Sequence, residues 1–248
     1  GVMKNDTILI LGAKSDIGVA LAHEFAKEGS KIILAGRNIF EINEERKIIE
    51  KNYSIEVDLC EFDALNLSEH SKFINNLKVF PNTVVSTIGL MGNQKENETD
   101  LKKTINELRC NYEGPVSILL VFANEFEKRN NGGTLVGFSS VAGERGRSKN
   151  YIYGSAKAGF TAFLSGLRNR LSSKGIHVLT VLPGYVSTKM TKNLNLPKFL
   201  TAQPKEVARD IIVAVKKRKN VIFTPSIWRL IIFILKLIPE SLFKKTNI

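Results

Sequence analysis

Short apolar runs recur along the whole chain, at 7–11, 31–35, 55–59, 83–88, 134–139, 177–182 and 221–224. Amphipathic helical patterns fall between them, at 17–28, 40–51, 68–78, 100–128, 151–172 and 204–217. Strands that are apolar throughout, rather than alternating, cannot have one face in water. Each must be covered above and below, and the helix that follows each strand supplies the cover. Right-handed crossovers then leave a doubly wound α/β fold: a seven-stranded parallel sheet with helices on both faces. No internal repeat and no Pro- or Ser-rich linker interrupts the 248 residues, so the expectation is one domain over 1–248 with a tail at 226–248.

An apolar fraction of 43% is ample for a large core. Cys60 and Cys110 stand alone, without a CxxC pair or a Cys/His cluster. That argues against a disulfide framework or a structural zinc, and fits a reducing, cytoplasmic compartment. Met3-Lys4-Asn5-Asp6 runs straight into the first strand, so no signal peptide is expected, and Gly1-Val2 reads as an addition or an alternative start. The net charge of +12 is unevenly spread. From Lys189 onward there are 13 Lys/Arg against Glu206, Asp210 and Glu240, whereas the first 188 residues are nearly neutral. The basic quarter holds an apolar tail and no nucleic-acid motif, which disfavours a nucleic-acid partner.

Between the first two strands the chain reads Gly12-Ala13-Lys14-Ser15-Asp16-Ile17-Gly18. Gly12 follows the strand where a sharp turn must pass close to a ligand, and Gly18 falls where a side chain would hold helix and strand apart. The first turn of the helix offers unpaired N–H groups and a positive dipole end, which suits a pyrophosphate. Asp16 is the expected N-cap. The second strand ends Ala35-Gly36-Arg37, with no acid to take a ribose 2′-hydroxyl. Arg37 and Lys14 are two cations suited to a 2′-phosphate, so NADP is expected over NAD.

The stretch "GFSSVAGERGRSKNYIYGSAKAGF" carries the chemistry. Tyr153 and Lys157 lie four apart in a helical pattern and so share a face, and Ser140 sits at the end of the fifth strand. A phenol with a pKa near ~10 transfers protons poorly at neutral pH unless a cation lowers it. A serine hydroxyl can hydrogen-bond a carbonyl oxygen as charge develops there.

Together with the glycine turn, Asn111 and Pro183-Gly184, these residues resemble the short-chain dehydrogenase/reductases, over 6 to about 225. The resemblance implies an NADP(H)-dependent enzyme that interconverts ketone and secondary alcohol, assembled as a homodimer or homotetramer. It implies Tyr153 as general acid/base, Lys157 as the cation that lowers its pKa and holds the ribose, and Ser140 as the group that orients the carbonyl. Asn111 would hold a water linking Lys157 to solvent, Asp63 and Ala64 would meet the adenine, and Gly89 would lie along the cofactor. Val186 and Thr188 would meet the nicotinamide amide. Leu11, Asp16 and Ser86-Thr87-Ile88-Gly89 depart from the family pattern, none of them at a catalytic position.

Within the family, "TIGLMGN", "SSVAGERGR", "PGYVSTKM" and the tail are similar to keto-reductases that act on a polyprenyl-phosphate-linked sugar supplied by a partner oxidase. A soluble reductase of a 3-oxoacyl thioester and a catalytically idle NADP sensor are the alternatives. Residues 227–238 are apolar apart from Arg229 and Lys236, and too short for a span of about 20 residues. They suit either a helix on an anionic membrane surface or packing against the core. Tyr151 is read as site wall, and His23, His70 and His177 as structural.

Overall fold

The computed structural model describes residues 3–248; Gly1 and Val2, read above as an addition or alternative start, lie outside the described residues. β1 (Thr7–Leu11) is buried throughout, with Ile8 and Ile10 in one apolar layer and Leu9 and Leu11 in the other. β2 (Lys31–Gly36) and β3 (Val57–Glu61) continue the sheet on one side. β4 (Thr83–Ser86), β5 (Gly133–Phe138) and β6 (Ile176–Pro183) continue it on the other. β7 (Tyr185–Val186) and β8 (Thr201–Ala202) form a separate short pair, and β9 (Val221–Thr224) closes the main sheet. Its order is β3-β2-β1-β4-β5-β6-β9, and every pairing is parallel. This is the expected doubly wound Rossmann arrangement of seven strands. The strand order reverses between β1 and β4, which opens a crevice at their carboxyl ends.

α1 (Asp16–Lys27), α2 (Asn43–Tyr53) and α8 (Pro204–Lys216) cover the Ile8/Ile10 face through Leu21, Phe25, Ile49, Val207 and Ile211. α3 (His70–Asn75), α6 (Gly114–Arg129) and α7 (Tyr151–Leu171) cover the other through Ile74, Ile118, Phe122, Phe160 and Leu164. The helix expected over 100–128 is broken. α4 (Gln94–Thr99) precedes it, capped by Asn93, and α5 (Leu101–Leu108) is capped by Asp100. A π turn, Arg109–Glu113, then joins α5 to α6. Pro115 explains the turn: it lacks the N–H for an ordinary helical bond, and its ring would crowd the carbonyl of residue 111. β3 begins two residues later than expected because α2 ends on Ser54 in a left-handed conformation (φ 53°).

The chain closes with α9 (Trp228–Leu237) and α10 (Glu240–Phe243). Trp228, Ile232 and Phe243 are buried, so one edge of this segment packs on the protein. Leu230, Phe233, Ile234 and Leu237 remain exposed. Among the described residues, no helix is long and apolar enough to cross a membrane.

Candidate active site

Gly12 leaves β1 with φ +79°, and a Cβ there would come within 2.8 Å of the Thr87 hydroxyl. That hydroxyl lies 2.9 Å from the carbonyl oxygens of both Leu11 and Gly12, tying the end of β4 to the turn. At Gly18 a Cβ would come 2.9 Å from the backbone of Ala13, so only glycine lets the start of α1 pack this closely on the turn after β1. The N-cap is Ser15, not Asp16. Ser15 has the extended backbone of a cap and accepts from the Gly18 amide at 3.0 Å, while Asp16 is already helical. Asp16 instead accepts from the Lys189 amide at 2.8 Å, joining the loop after β7 to the glycine turn. Ile17 packs against the core.

The two cations expected at the end of β2 are differently placed. Arg37 is exposed. Lys14 donates to the Arg37 carbonyl at 3.0 Å and pairs with the Glu41 carboxylate at 2.6 Å. No acid stands at the end of β2, but the turn after Asn38 brings Glu41 onto Lys14, which leaves Arg37 as the exposed cation there. Glu61, at the end of β3, spends its carboxylate on the amides of Asn38 and Ile39.

Ser140 ends the segment after β5 and its hydroxyl accepts from the Ala142 amide at 3.0 Å. α7 carries Tyr153 and Lys157 on one face toward this turn. Gln94 of α4 accepts from the Ile152 amide at 3.2 Å, where Asn150 supplies no side-chain cap. Burial pushes the Tyr153 phenol up to about 12, and the Ser140 hydroxyl beside it pulls the other way. Lys157 is only 3% exposed, and its ammonium lies 5.7 Å from the centre of the Tyr153 ring. Burial lowers it to about 8. Burial is the largest influence on both groups.

Asn111 sits in the π turn, fully buried, and its amide accepts from the Leu90 amide at 3.1 Å. It donates to the carbonyls of Leu90 (2.6 Å) and Glu107 (2.8 Å). Gly89 is packed between this amide and Lys157. Glu107 is buried and holds the Gly92 amide (3.0 Å) and Asn97, and its charge adds to the upward push on Tyr153. Tyr151 is exposed and meets Glu98 and Gln94 of α4. Pro183 ends β6, and the Gly184 amide donates to the Thr224 carbonyl at 3.0 Å. Val186 is buried and pairs with Ala202, and Thr188 caps the turn Lys189–Thr191. Asp63 is exposed, with one carboxylate oxygen on the Leu65 amide, and Ala64 is half-buried beside it. A hollow of about 940 Å³ is lined by Leu90, Gly92, Asn97, Ile105, Glu107 and Arg109. Ser140, Tyr153 and Lys157 do not line it; the titratable cluster marks the reacting centre better than the volume does.

Residues 6–198 match the family described as short chain dehydrogenase. The chain belongs to the short-chain dehydrogenase/reductase family. An uncharacterized oxidoreductase of Mycobacterium tuberculosis is 33% identical over 241 residues, covering 96% of each chain. Among solved structures, a short-chain dehydrogenase from Sphingobium yanoikuyae in complex with NADPH superposes with a TM-score of 0.79 at 20% identity, over 95% of this chain and 97% of that one. L-sorbose reductase from Gluconobacter frateurii, complexed with NADPH and L-sorbose, gives 0.78 at 20% identity, over 89% and 95%.

As a member of this oxidoreductase family the protein acts on CH–OH groups, and its crevice fits a nicotinamide dinucleotide. Gly12 and Gly18 leave no room for a side chain in the turn, so backbone could approach such a ligand there, and the first-turn amides of α1 could donate to its pyrophosphate. Lys157 has three donor protons, and among the described residues its hydrogen bond goes to the Phe138 carbonyl at 3.0 Å, leaving donors for ribose hydroxyls. Among the described residues no cluster of His, Cys, Asp and Glu could hold a metal. Sequence patterns missed Thr87, Glu41 and Glu107, all of which act across the fold rather than along the chain.

Proposed function

We propose that this short-chain dehydrogenase/reductase reduces a ketone to a secondary alcohol with NADPH. The observation that carries the reading is the Ser140 hydroxyl beside the Tyr153 phenol, with the Lys157 ammonium buried below. Near neutral pH a phenol held at about 12 keeps its proton but gives it up poorly by itself, and an ammonium at about 8 keeps the charge that would offset this by stabilising the phenolate. Tyr153 gives its proton to the carbonyl oxygen, Ser140 holds that oxygen, and Lys157 compensates the phenolate that forms. Asn111 positions the Leu90 segment beside Lys157, on the route by which the proton is replaced. When bound, the nicotinamide supplies the hydride. The residues that would hold the cofactor are Gly12, Lys14, Ser15, Asp16, Ile17 and Gly18 at the pyrophosphate and Arg37 at the 2′-phosphate. Asp63, Ala64 and Gly89 would lie at the adenosine side, and Pro183, Gly184, Val186 and Thr188 at the nicotinamide.

The substrate we favour is the 2-keto group of a polyprenyl-phosphate-linked sugar, delivered by a partner oxidase. The resemblance to the keto-reductase half of the decaprenylphosphoryl-ribose 2′-epimerase system supports it. So does the exposed stripe Leu230, Phe233, Ile234 and Leu237, four residues on one face of α9, with exposed Lys244 and Lys245 following α10 in the chain. That stripe would rest on an anionic bilayer at the cytoplasmic side as a peripheral contact. Exposed Leu101, Ile105, Tyr112 and Leu120, along α5 to α6, support assembly into a homodimer or homotetramer. The test is NADPH oxidation with keto-sugars carrying or lacking a polyprenyl-phosphate anchor, beside a 3-oxoacyl thioester. Faster turnover of the anchored ketone is expected; preference for the thioester would overturn the substrate assignment.

A further inference from the structure

Ser140 leads into the turn Val141–Gly143, and the next two residues leave the catalytic centre altogether. The Arg145 guanidinium donates to the carbonyls of Leu235 and Ile238 (2.6 Å to the latter), at the carboxyl end of α9. It pairs with Glu240 at 3.0 Å and lies over the Phe243 ring, with Cζ 3.8 Å from the ring centre. Its neighbour Glu144 pairs with Lys236 at 2.8 Å, and both Arg145 and Glu144 are mostly buried. A guanidinium on the last carbonyls of a helix meets both their unsatisfied acceptors and the negative end of the dipole.

The opposite end of α9 is tied elsewhere. The Trp228 indole donates to the Leu200 carbonyl at 2.9 Å and stands edge-on to Tyr185, with ring centres 5.2 Å apart. It covers Gly184 so closely that a Cβ there would fall 2.0 Å from the indole nitrogen. Gly184 and Tyr185 open the loop proposed above to face the nicotinamide. α9 has ten residues, a length of about 15 Å, and so bridges the Ser140 turn to the loop after β6.

We propose that the C-terminal segment is a strap that sets the distance between these two walls of the catalytic crevice, and that Arg145 is its positioning residue. Arg145 touches none of the reacting groups; it acts through the turn that carries Ser140. The role rests on the reaction proposed above, because a shift of Ser140 by about 1 Å is costly only where it must meet a carbonyl oxygen.

Arg145→Ala and Arg145→Lys, made in the full chain, test the proposal against the best ketone of the panel, with NADPH affinity by fluorescence. Amide hydrogen exchange is followed over 140–146 and 184–202 in the same samples. In Arg145→Ala, kcat should fall about tenfold or more while NADPH affinity stays within about twofold, and exchange should quicken in both segments. Arg145→Lys keeps the charge but not the fork and should recover part of kcat. Lys236→Met, which removes the pair with Glu144, repeats the test with a smaller effect should Arg145→Ala fail to fold. Parent-like kcat in the variants, or faster exchange confined to 235–243, would overturn the strap. If the parent reduces no ketone, the reaction assignment fails by itself, and exchange spreading to 184–202 still decides the strap.

Discussion

Lys157→Met should make the protein more stable while destroying its activity. The parent keeps a lysine that is 3% exposed, and burial lowers its ammonium from the ordinary 10.5 to about 8. At about 1.4 kcal/mol per pH unit, holding the cation in the fold near pH 7 costs roughly 3 kcal/mol. Methionine fills a similar volume without charge, but leaves the Phe138 carbonyl without its donor, a loss of about 1 kcal/mol. The net gain is about 2 kcal/mol, which for a chain of this size raises Tm by roughly 4–8 °C. The sign follows from proton binding. The unfolded chain holds the lysine proton up to 10.5, whereas the folded chain releases it near 8. The penalty is therefore full below pH 8 and disappears as the pH rises toward 10.5. Calorimetric melting without nucleotide, near neutral pH and again near 10, measures both features. A Lys157→Met variant that melts below the parent near neutral pH, or a gap that does not shrink in alkali, would refute the reasoning.

Three other outcomes follow from the same geometry. The kcat/KM for reduction should fall as pH rises through about 8, where Lys157 loses its charge, and a pH–rate profile that stays flat there contradicts its role. Arg37→Ala should weaken NADPH more than NADH, by about 1.5–3 kcal/mol or roughly ten- to a hundredfold, and equal affinities of the parent for both cofactors would remove the argument for NADP. The intact chain should float with anionic liposomes at low salt and release at high salt, while a chain ended after Thr224 should not bind; an intact chain that stays in solution throughout returns α9 to a purely packing role.

The sheet was legible because burial on both faces leaves a signature that needs no distant partner: Ile8 to Leu11 is apolar whichever way it points, and Val178 to Leu182 is broken only by Thr180. The same holds for Tyr153 and Lys157, since helical spacing alone puts them on one face. What escaped depends on contacts between residues far apart. Glu41 reaches Lys14, Asp16 reaches Lys189, and Arg145 reaches Leu235 and Glu240 only once the fold exists. The break in the helix over 100–128 had a local cause, Pro115, but apolar periodicity runs through it and hides the π turn that holds Asn111. The tail was ambiguous for a different reason: α9 is apolar on both edges, and the structure buries Trp228 and Ile232 while leaving Phe233 and Leu237 in solvent.

The central assignment, that this chain reduces a ketone with Tyr153 as the proton donor, is tested most directly by isotope transfer. NADPH deuterated at the reactive carbon of the nicotinamide is incubated with the ketone panel, and the alcohols are read by mass spectrometry in the parent and in Tyr153→Phe. The parent should place one deuterium on the new carbinol carbon, and Tyr153→Phe should do so at least about 10²-fold more slowly while binding NADPH almost as well. Deuterium transfer at an equal rate in the two proteins, or none from any ketone in the parent, would contradict it.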